Sequence, residues 1–587
     1  MSQKHRVKNE EIWYQEISPE LKTNVRKILG VFYVHLQLPG GDELYLTKYG
    51  LPFIENLRPE NFLTDRKWFE SHSRRLSGTS CIYKVQTKKV RNFQAELVIK
   101  WNRMGEDVPG GQDNEEFWHA EFNSPFEEFS LLMELRRVRQ QVPGVLITQK
   151  PLAIYVPDEK IELWQLGRKK HKMQKKIDIH EDIQLDMFRR YLVIYKWIEG
   201  IDAVEAYNKK ILSEDTMKNL TLQVESEMGR RGFLVKDRKP HHIIVKPNRF
   251  GSLVRDNHGD ILHATIDFEL LQRTESHESA MVKIKRQNYL IRQRDRFKDE
   301  PRRQLPPNLH HQQILGVDYI FGRCESTQGI LWVVGKDPDL FDYFLPERWE
   351  AMPRTRLSLY NDIFKIESKD HIYLVWKVSR VGIMPDADPF KADESRVLEY
   401  GYNSPFEEVA IALDLTVHGI NTVYPRAIYM SGHPAHVSDE IMDHRRYVSH
   451  QKWTTPGGKP LLRRDRHYYI IFGYFNGPDE MLANEDGHYY QSINAITAYH
   501  RKLLSLEQYM ELMKYMNDQM AKASLEDLNL RGSHLILALD EKGELVRGKQ
   551  GIPDARICNF ELLCRIGSKG PLEQGYSAHH KFAHKQD

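Results

Sequence analysis

Asp237 and Asp267 carry the first chemical signal in this chain, because its second half has amides where its first half has these two carboxylates. The comparison is possible because one unit occurs twice. Asn123-Ser-Pro-Phe-Glu-Glu128 returns as Asn403-Ser-Pro-Phe-Glu-Glu408, and Ile28-Leu-Gly-Val31 returns as Ile314-Leu-Gly-Val317. Asp267-Phe-Glu-Leu-Leu271 returns as Asn559-Phe-Glu-Leu-Leu563. A histidine precedes each of these last clusters by one interval: His242 before Asp267 (267 − 242 = 25) and His534 before Asn559 (559 − 534 = 25). Five residues before each histidine stand Asp237 and Asn529. The offset between copies is 286 at the start, 280 at the central motif and 292 at the end. Solenoid repeats run ~20–50 residues, so this is a duplicated domain. A carboxylate can accept a proton or bind a hard cation, whereas an amide cannot act as a base and binds Mg²⁺ far less well. One copy has kept the means for such chemistry and the other has lost it.

These residues need elements to position them. Apolar or alternating runs at Val31–Val34, Glu43–Leu46, Ile82–Val85 and Ala95–Lys100 predict strands, the last ending on Lys100. Ser124-Pro125 opens a helix: Ser124 is a good N-cap, Pro125 suits the first turn, and Glu127 and Glu128 favour the positive end of the dipole. Leu131, Leu132 and Leu135 give that helix an apolar face. Residues 152–156 and 191–195 read as buried strands, with the basic run 168–176 between them as a solvated insertion. A helix is expected over 202–230, then short strands at 232–235, 243–245 and 264–267. An amphipathic opening helix is expected over 11–28, and a basic helical linker over 281–306. The second unit repeats the order, with strands at 373–377, 427–429 and 468–472 and a helix from Ser404-Pro405. The domain reading is a helical extension (1–27), a first domain (28–280), a basic linker (281–312), a second domain (313–570) and a His-containing tail (571–587) with His579, His580 and His584.

The series strand lysine, helix glutamate, apolar strand ending in Glu199-Gly200, loop Leu234-Val-Lys-Asp237-Arg-Lys239-Pro-His-His242 and Asp267-Phe-Glu269 resembles the protein kinase-like superfamily over about residues 76–271. The resemblance implies an α+β fold of two tandem bilobal kinase-like domains, each with a β-rich N-lobe and a shortened helical C-lobe. It implies that Lys100 holds the α- and β-phosphates of ATP and pairs with Glu128. Tyr191 to Gly200 would be the hinge where adenine meets backbone, which puts Lys196 beside the cofactor. Gly78, in Leu76-Ser-Gly78-Thr-Ser-Cys81, would be the one glycine of a phosphate loop that usually has three. Asp237 matches the catalytic-loop aspartate, Lys239 the lysine two residues on, and Asp267 the Mg²⁺-binding aspartate. His242 stands where most such kinases have a metal-binding Asn, as in bacterial lipopolysaccharide sugar kinases. In the second unit Lys377, Glu408 and His534 match, but Asn529 and Asn559 replace both carboxylates, so this copy resembles a pseudokinase.

Asp267-Phe-Glu269 lacks the usual glycine, and no Ala-Pro-Glu motif follows in the roughly 40 residues before the second unit. That leaves no room for a peptide-binding segment and favours a small molecule or sugar as acceptor. The expectation is an ATP- and Mg²⁺-dependent phosphotransferase with an active first domain that contacts a pseudokinase second domain. A non-catalytic tandem pseudokinase scaffold and nucleotidyl (AMP) transfer stand as alternatives.

The bulk composition sets bounds. The chain has 587 residues, 40% hydrophobic and 28% charged, and a net charge of +3. This is globular composition, and the charge is too small for a protein that coats nucleic acid. The basic stretches 168–176 and 283–303 are expected to be a solvated insertion and a solvated linker helix, the latter packed on one face through Val282, Ile284, Tyr289, Leu290 and Ile291, so no nucleic-acid partner is expected. The four cysteines, Cys81, Cys324, Cys558 and Cys564, form no CxxC pair and read as reduced thiols of a cytoplasmic protein. Met1–Glu10 has no apolar stretch behind its charges, and no run of eighteen apolar residues is present, so neither a secretory signal nor a membrane span is expected. Walker loop, zinc-protease helix and GxSxG elbow are absent.

Overall fold

The computed structural model describes residues 17–22, 24–76, 81–109, 120–138, 146–180, 183, 185–256, 259–298, 305–358, 361–435, 443–475, 491–540, 542–548, 551–568 and 570. The chain is mixed α+β and divides into two compact units, Met1–Met281 and Val282–Asp587.

The first unit contains α1 (Pro19–Lys22), β1 (Val25–Ile28), β2 (Val31–Gln37), β3 (Glu43–Leu46), α2 (Arg66–His72), β4 (Ser73–Arg75), β5 (Ile82–Gln86) and β6 (Glu96–Trp101). Next come α3 (Pro125–Val138), β7 (Ile147–Thr148), β8 (Pro151–Val156), α4 (Lys170–Ile179) and β9 (Leu192–Lys196). The unit continues with β10 (Ile201–Asp202), α5 (Ala203–Asn208), α6 (Glu214–Arg230), β11 (Phe233–Val235), β12 (Ile243–Val245), β13 (His263–Thr265) and β14 (Leu271–Arg273). Helix α7 (Glu275–Asp295) follows.

Eight strands form one antiparallel sheet in the order β1-β2-β3-β8-β9-β6-β5-β4. Side chains alternate across it. Leu97 and Ile99 of β6 pack on one face with Leu57 and Phe62. Val98 packs on the other, against Phe126, Phe129 and Leu132 of α3. Lys100 shares the parity of Val98 and therefore faces α3. It also lies opposite Val193 in β9.

The second unit contains β15 (Leu309–Ile314), β16 (Val317–Arg323), β17 (Ile330–Val334), β18 (Arg354–Arg356), β19 (Ile363–Glu367), β20 (Tyr373–Val378), α8 (Ala392–Tyr400) and α9 (Pro405–Val417). It goes on with β21 (Tyr424–Met430), α10 (Arg445–Ser449), β22 (Tyr468–Gly473), β23 (Gln491–Asn494), α11 (Ala495–His500), α12 (Leu506–Lys522), β24 (Leu525–Asp527), β25 (Leu535–Leu539), β26 (Ala555–Ile557) and β27 (Leu563–Arg565). Its large sheet runs β15-β16-β17-β21-β22-β20-β19-β18, the same path as in the first unit.

The repeated sequence motifs have local structural reasons. Leu29-Gly30 and Leu315-Gly316 are the two-residue turns of the hairpins β1–β2 and β15–β16. All four residues have positive φ (46°, 76°, 50° and 80°), as a type I′ turn requires. Ser124 Oγ accepts from the Glu127 amide at 3.2 Å while Glu127 Oε2 accepts from the Ser124 amide at 2.6 Å. Ser404 and Glu407 form the same reciprocal cap on α9.

Three expectations change. Of the helix expected over 11–28, the described part is one turn, α1, followed by strand β1, because Val25–Ile28 pairs along its whole length with β2. Residues 11–16 and 23 of that stretch lie outside the described residues, as do residues 1–10, Gly78 and the tail 571–587. The helix over 202–230 is two helices, interrupted at Lys210 (φ 60°) and restarted by the Ser213 cap. The basic run 168–176 is mostly α4, and its charges are paired: Lys172 with Asp107 and Lys175 with Glu121. From Val282 onward α7 packs on one face, in line with its run of apolar residues. Tyr289 and Leu290 are buried with Leu309, Leu340 and Phe344, and Arg292 pairs with Asp337 and Asp339.

Among the described residues no helix is long and apolar enough to cross a membrane. The four cysteines are free thiols.

Leu132 of α3 is fully buried against the sheet. Leu132→Ala should therefore lower unfolding free energy by about 2–5 kcal/mol. Urea denaturation measures this, and a loss below about 1 kcal/mol would show that α3 does not pack there.

Candidate functional site

Lys100 is 5% exposed. A buried ammonium must meet carboxylates, and this one meets two. Its Nζ lies 2.7 Å from Asp267 Oδ1 and 2.7 Å from Glu269 Oε2. Burial pulls the Lys100 pKa down, but Asp267, Glu269 and Glu128 outweigh it and the net shift is upward. Burial raises Asp267 too, yet Lys100 and His242 overcome it and hold this carboxyl at about 2. Glu269, buried beside Asp267, is shifted upward.

The Asp-Phe-Glu turn that brings Asp267 and Glu269 to the lysine is held by the first residue of the repeated motif. Asn123 Nδ2 donates to the Leu271 carbonyl at 2.9 Å, and the Asn123 amide donates to the Glu269 carbonyl at 2.9 Å. Phe268 anchors the turn in the core. Asp267 itself has φ 64°, a left-handed conformation uncommon outside glycine. At the far end of the 191–200 segment, Gly200 (φ 155°) lets the backbone pass β12, since a Cβ there would lie 2.6 Å from the Val245 carbonyl oxygen.

The expected Lys100–Glu128 ion pair does not form. Glu128, 1% exposed, instead accepts a hydrogen bond from the Tyr195 hydroxyl. Burial pushes its carboxyl up to about 7, against the opposing pull of Lys100 and Tyr195. The neighbouring Glu127 takes the opposite course. Burial raises it, but the His180 and Lys176 side chains of the inserted segment hold it at about 2.

Asp237 and Lys239 form a pair of their own at 2.8 Å on a partly exposed loop. His242 sits between that loop and the lysine cluster, with Nε2 3.5 Å from Asp267 Oδ2. Burial, opposed by Asp267, lowers its pKa and favours neutral imidazole. Its Nδ1 is buried with no hydrogen-bond partner among the described residues. The Lys196 side chain, at the end of β9, is exposed, and no ion pair among the described residues ties it to this cluster. Gly78 lies outside the described residues.

The second unit is wired differently. Lys377 does pair with its helix glutamate, Glu408, at 2.7 Å, and with Glu561 at 3.0 Å. His534 has both ring nitrogens occupied, Nδ1 by Asp527 at 3.2 Å and Nε2 by the Asn559 amide at 3.1 Å. The residue of β11 that corresponds to Asp527 is Val235, which offers His242 no such partner. Asn403 repeats the clamp, donating to the Phe560 and Leu563 carbonyls at 2.8 Å each.

Sequence reasoning missed four participants: Asn123, Tyr195, Glu269 and the Lys176–His180 pair. Asn123 was visible as the first letter of the repeated motif. Tyr195 was visible as the aromatic that loses its hydroxyl in the second unit, where Phe472 takes its place.

No family model matches the chain, and no curated protein matches it. Among solved structures it is similar to the bifunctional kinase-methyltransferase WbdD, at 13% identity over 32% of this chain and 32% of that chain, with a TM-score of 0.15. A co-crystal structure of WbdD with the kinase inhibitor LY294002 is similar at 11% identity over 36% of this chain and 38% of that chain, with a TM-score of 0.16. The chain thus spans about a third of the length of these structures.

Glu128 makes stability depend on pH in a defined direction. Its folded value of about 7 lies above the ordinary 4.5, so the stability it lends is complete below pH 4.5 and is lost as pH rises through about 7. Wild type should therefore lose stability relative to Glu128→Gln across that window. Urea midpoints at stepped pH test this, and a constant difference between the two proteins would contradict it.

Proposed function

We propose that the first unit is a protein kinase-like phosphotransferase and that the second unit is its degenerate copy. The observation that carries this reading is the convergence on Lys100: a buried strand lysine held 2.7 Å from Asp267, a residue 167 positions later, with a buried helix glutamate behind it. The shared strand path of the two large sheets supports descent from one domain.

The residues fit ATP and Mg²⁺ in part. Mg²⁺ is commonly held by one or two protein carboxylates, with phosphates and waters completing the shell. Asp267, ionised and 21% exposed, is suited to that role. His242 is a poorer ligand for so hard a cation, and its 3.5 Å approach to Oδ2 better suits steadying the Asp267 carboxylate. Among the described residues no group of three metal-ligating side chains occurs, so phosphates and waters would have to supply the remaining ligands of a bound Mg²⁺. When bound, Mg²⁺ and ATP would supply the transferable phosphoryl group and neutralise its charge.

The protein's own side chains then have distinct tasks. Lys100 offers its ammonium to phosphate oxygens once Asp267 and Glu269 release it. Asp237, on the open loop, accepts the proton of the attacking hydroxyl, and Lys239 beside it fixes the carboxylate and faces incoming negative charge. Lys196 and Gly78 are the places where the hinge and phosphate loop would meet the nucleotide. A small molecule or sugar is the acceptor that best suits this short C-terminal portion.

In the second unit Asn529 and Asn559 remove both the base and the metal ligand. Lys377 is 4% exposed and sealed by two carboxylates, which favours a structural or regulatory role there. One observation favours a scaffold reading for the first unit as well: Lys100 is already neutralised by two carboxylates.

Asp237→Asn and Asp267→Asn should each reduce phosphoryl transfer by about 100-fold or more while circular dichroism stays unchanged. An acceptor screen with γ-labelled ATP measures this, and parallel α-labelled ATP reports AMP transfer. Full activity in both variants would defeat the assignment, and a lack of Mg·ATP binding by wild type would favour the scaffold.

A further inference from the structure

Glu128 and Glu408 occupy the same place in the repeated motif yet bond different partners. The helices that carry them do not account for this. Both begin with the same reciprocal cap. Both are clamped at the residue before the glutamate, Glu127 by Lys176 and His180 and Glu407 by Arg446, while His450 takes the capping Ser404. Both follow an asparagine that holds the Phe-Glu turn. With the helices fixed alike, the difference lies in what faces the glutamate.

The strand register identifies that difference. Lys100 lies opposite Val193, and Tyr195 lies two residues along β9 on the same face. Lys377 lies opposite Ile470, and Phe472 lies two residues along β22. Tyr195 donates its hydroxyl to Glu128, and Phe472 has none to give Glu408. In each unit one oxygen of the glutamate is bonded and the other is buried without a hydrogen-bond partner among the described residues. The single bonded oxygen is taken by the tyrosine in the first unit and by the lysine in the second.

We propose that Tyr195 is a positioning residue whose hydroxyl withholds Glu128 from Lys100 and so leaves Lys100 on Asp267 and Glu269. The second unit, which lacks the hydroxyl and has Asn559 in place of Asp267, has its lysine on the helix glutamate. The nucleotide consequence rests on the phosphotransferase reading: while Lys100 holds Asp267, that carboxylate is not free for a metal, and breaking the Tyr195–Glu128 bond releases it.

The test is a pair of full-length crystal structures, wild type and Tyr195→Phe, with Mg·ATP titrations of both. In Tyr195→Phe, Lys100 should move to Glu128 and leave Asp267, and Mg·ATP should bind about 5-fold more tightly or better. Adding Glu128→Gln should remove the gain, which a merely structural role for the tyrosine would not predict. Lys100 remaining on Asp267 and Glu269 in Tyr195→Phe would overturn the proposal. Movement of Lys100 with unchanged affinity would overturn its nucleotide consequence. Should Tyr195→Phe fail to fold, Phe472→Tyr asks the same question in reverse: Glu408 should turn to the new hydroxyl, and an intact Lys377–Glu408 pair would overturn the proposal. Movement of Lys100 to Glu128 in a protein that binds no Mg·ATP would uphold the positioning role and defeat the phosphotransferase reading instead.

Discussion

A lysine ammonium buried in the face of a β-sheet is the constraint on which each unit is organised. Lys100 and Lys377 are almost completely shielded from water. Desolvating such a charge without compensation costs many kcal/mol, so each fold must deliver carboxylates to one point beneath the sheet. The first unit delivers Asp267 and Glu269, the second Glu408 and Glu561. Helix and turn are placed where they are by the need to bring those groups in.

An asparagine makes that delivery cooperative. Asn123 and Asn403 each stand just before the helix that carries the glutamate, and each donates its side-chain amide to carbonyls of the distant Phe-Glu turn. One residue thereby ties the helix start to the segment bearing the acidic groups. The inserted helices α4 and α10 add a second tie through Lys176, His180 and Arg446. Around this shared frame the copies differ in ways that bear on the site, among them Asp237 and Asn529, Asp267 and Asn559, Tyr195 and Phe472, and Val235 and Asp527. The last change gives His534 a partner for the nitrogen that His242 leaves unpaired.

Much of the frame was legible in the sequence. Apolar or alternating runs located β2, β3, β5 and β6, compact apolar runs located β8 and β9, and Ser-Pro marked the start of α3 and α9, because local rules govern hairpins and caps. The repeat located the acidic turn. The expected Lys100–Glu128 pair failed for a non-local reason: its partner was decided by a hydroxyl on β9, and only the strand register brings Tyr195 to Glu128. The ion pairs of the largely exposed basic run 168–176 are not legible in sequence because the partners Asp107, Glu121 and Glu127 lie far away along the chain. At the end of the expected opening helix, Val25–Ile28 is a strand because a Leu-Gly turn folds it back on β2.

Among the described residues neither large sheet closes on itself, so each has two edge strands. Such edges invite association with other strands unless charge or twist discourages it. The edge strand β4 is Ser73-Arg74-Arg75, with both arginines exposed, and β18 is Arg354-Thr355-Arg356, exposed throughout. Arg354 also lies over the rings of Phe364 and Trp376, which keeps its guanidinium close to the strand. Two such edges brought together would set arginine against arginine. Electrostatic repulsion at the rim thus guards an open eight-stranded sheet against self-association that its hydrogen-bonding geometry would otherwise encourage.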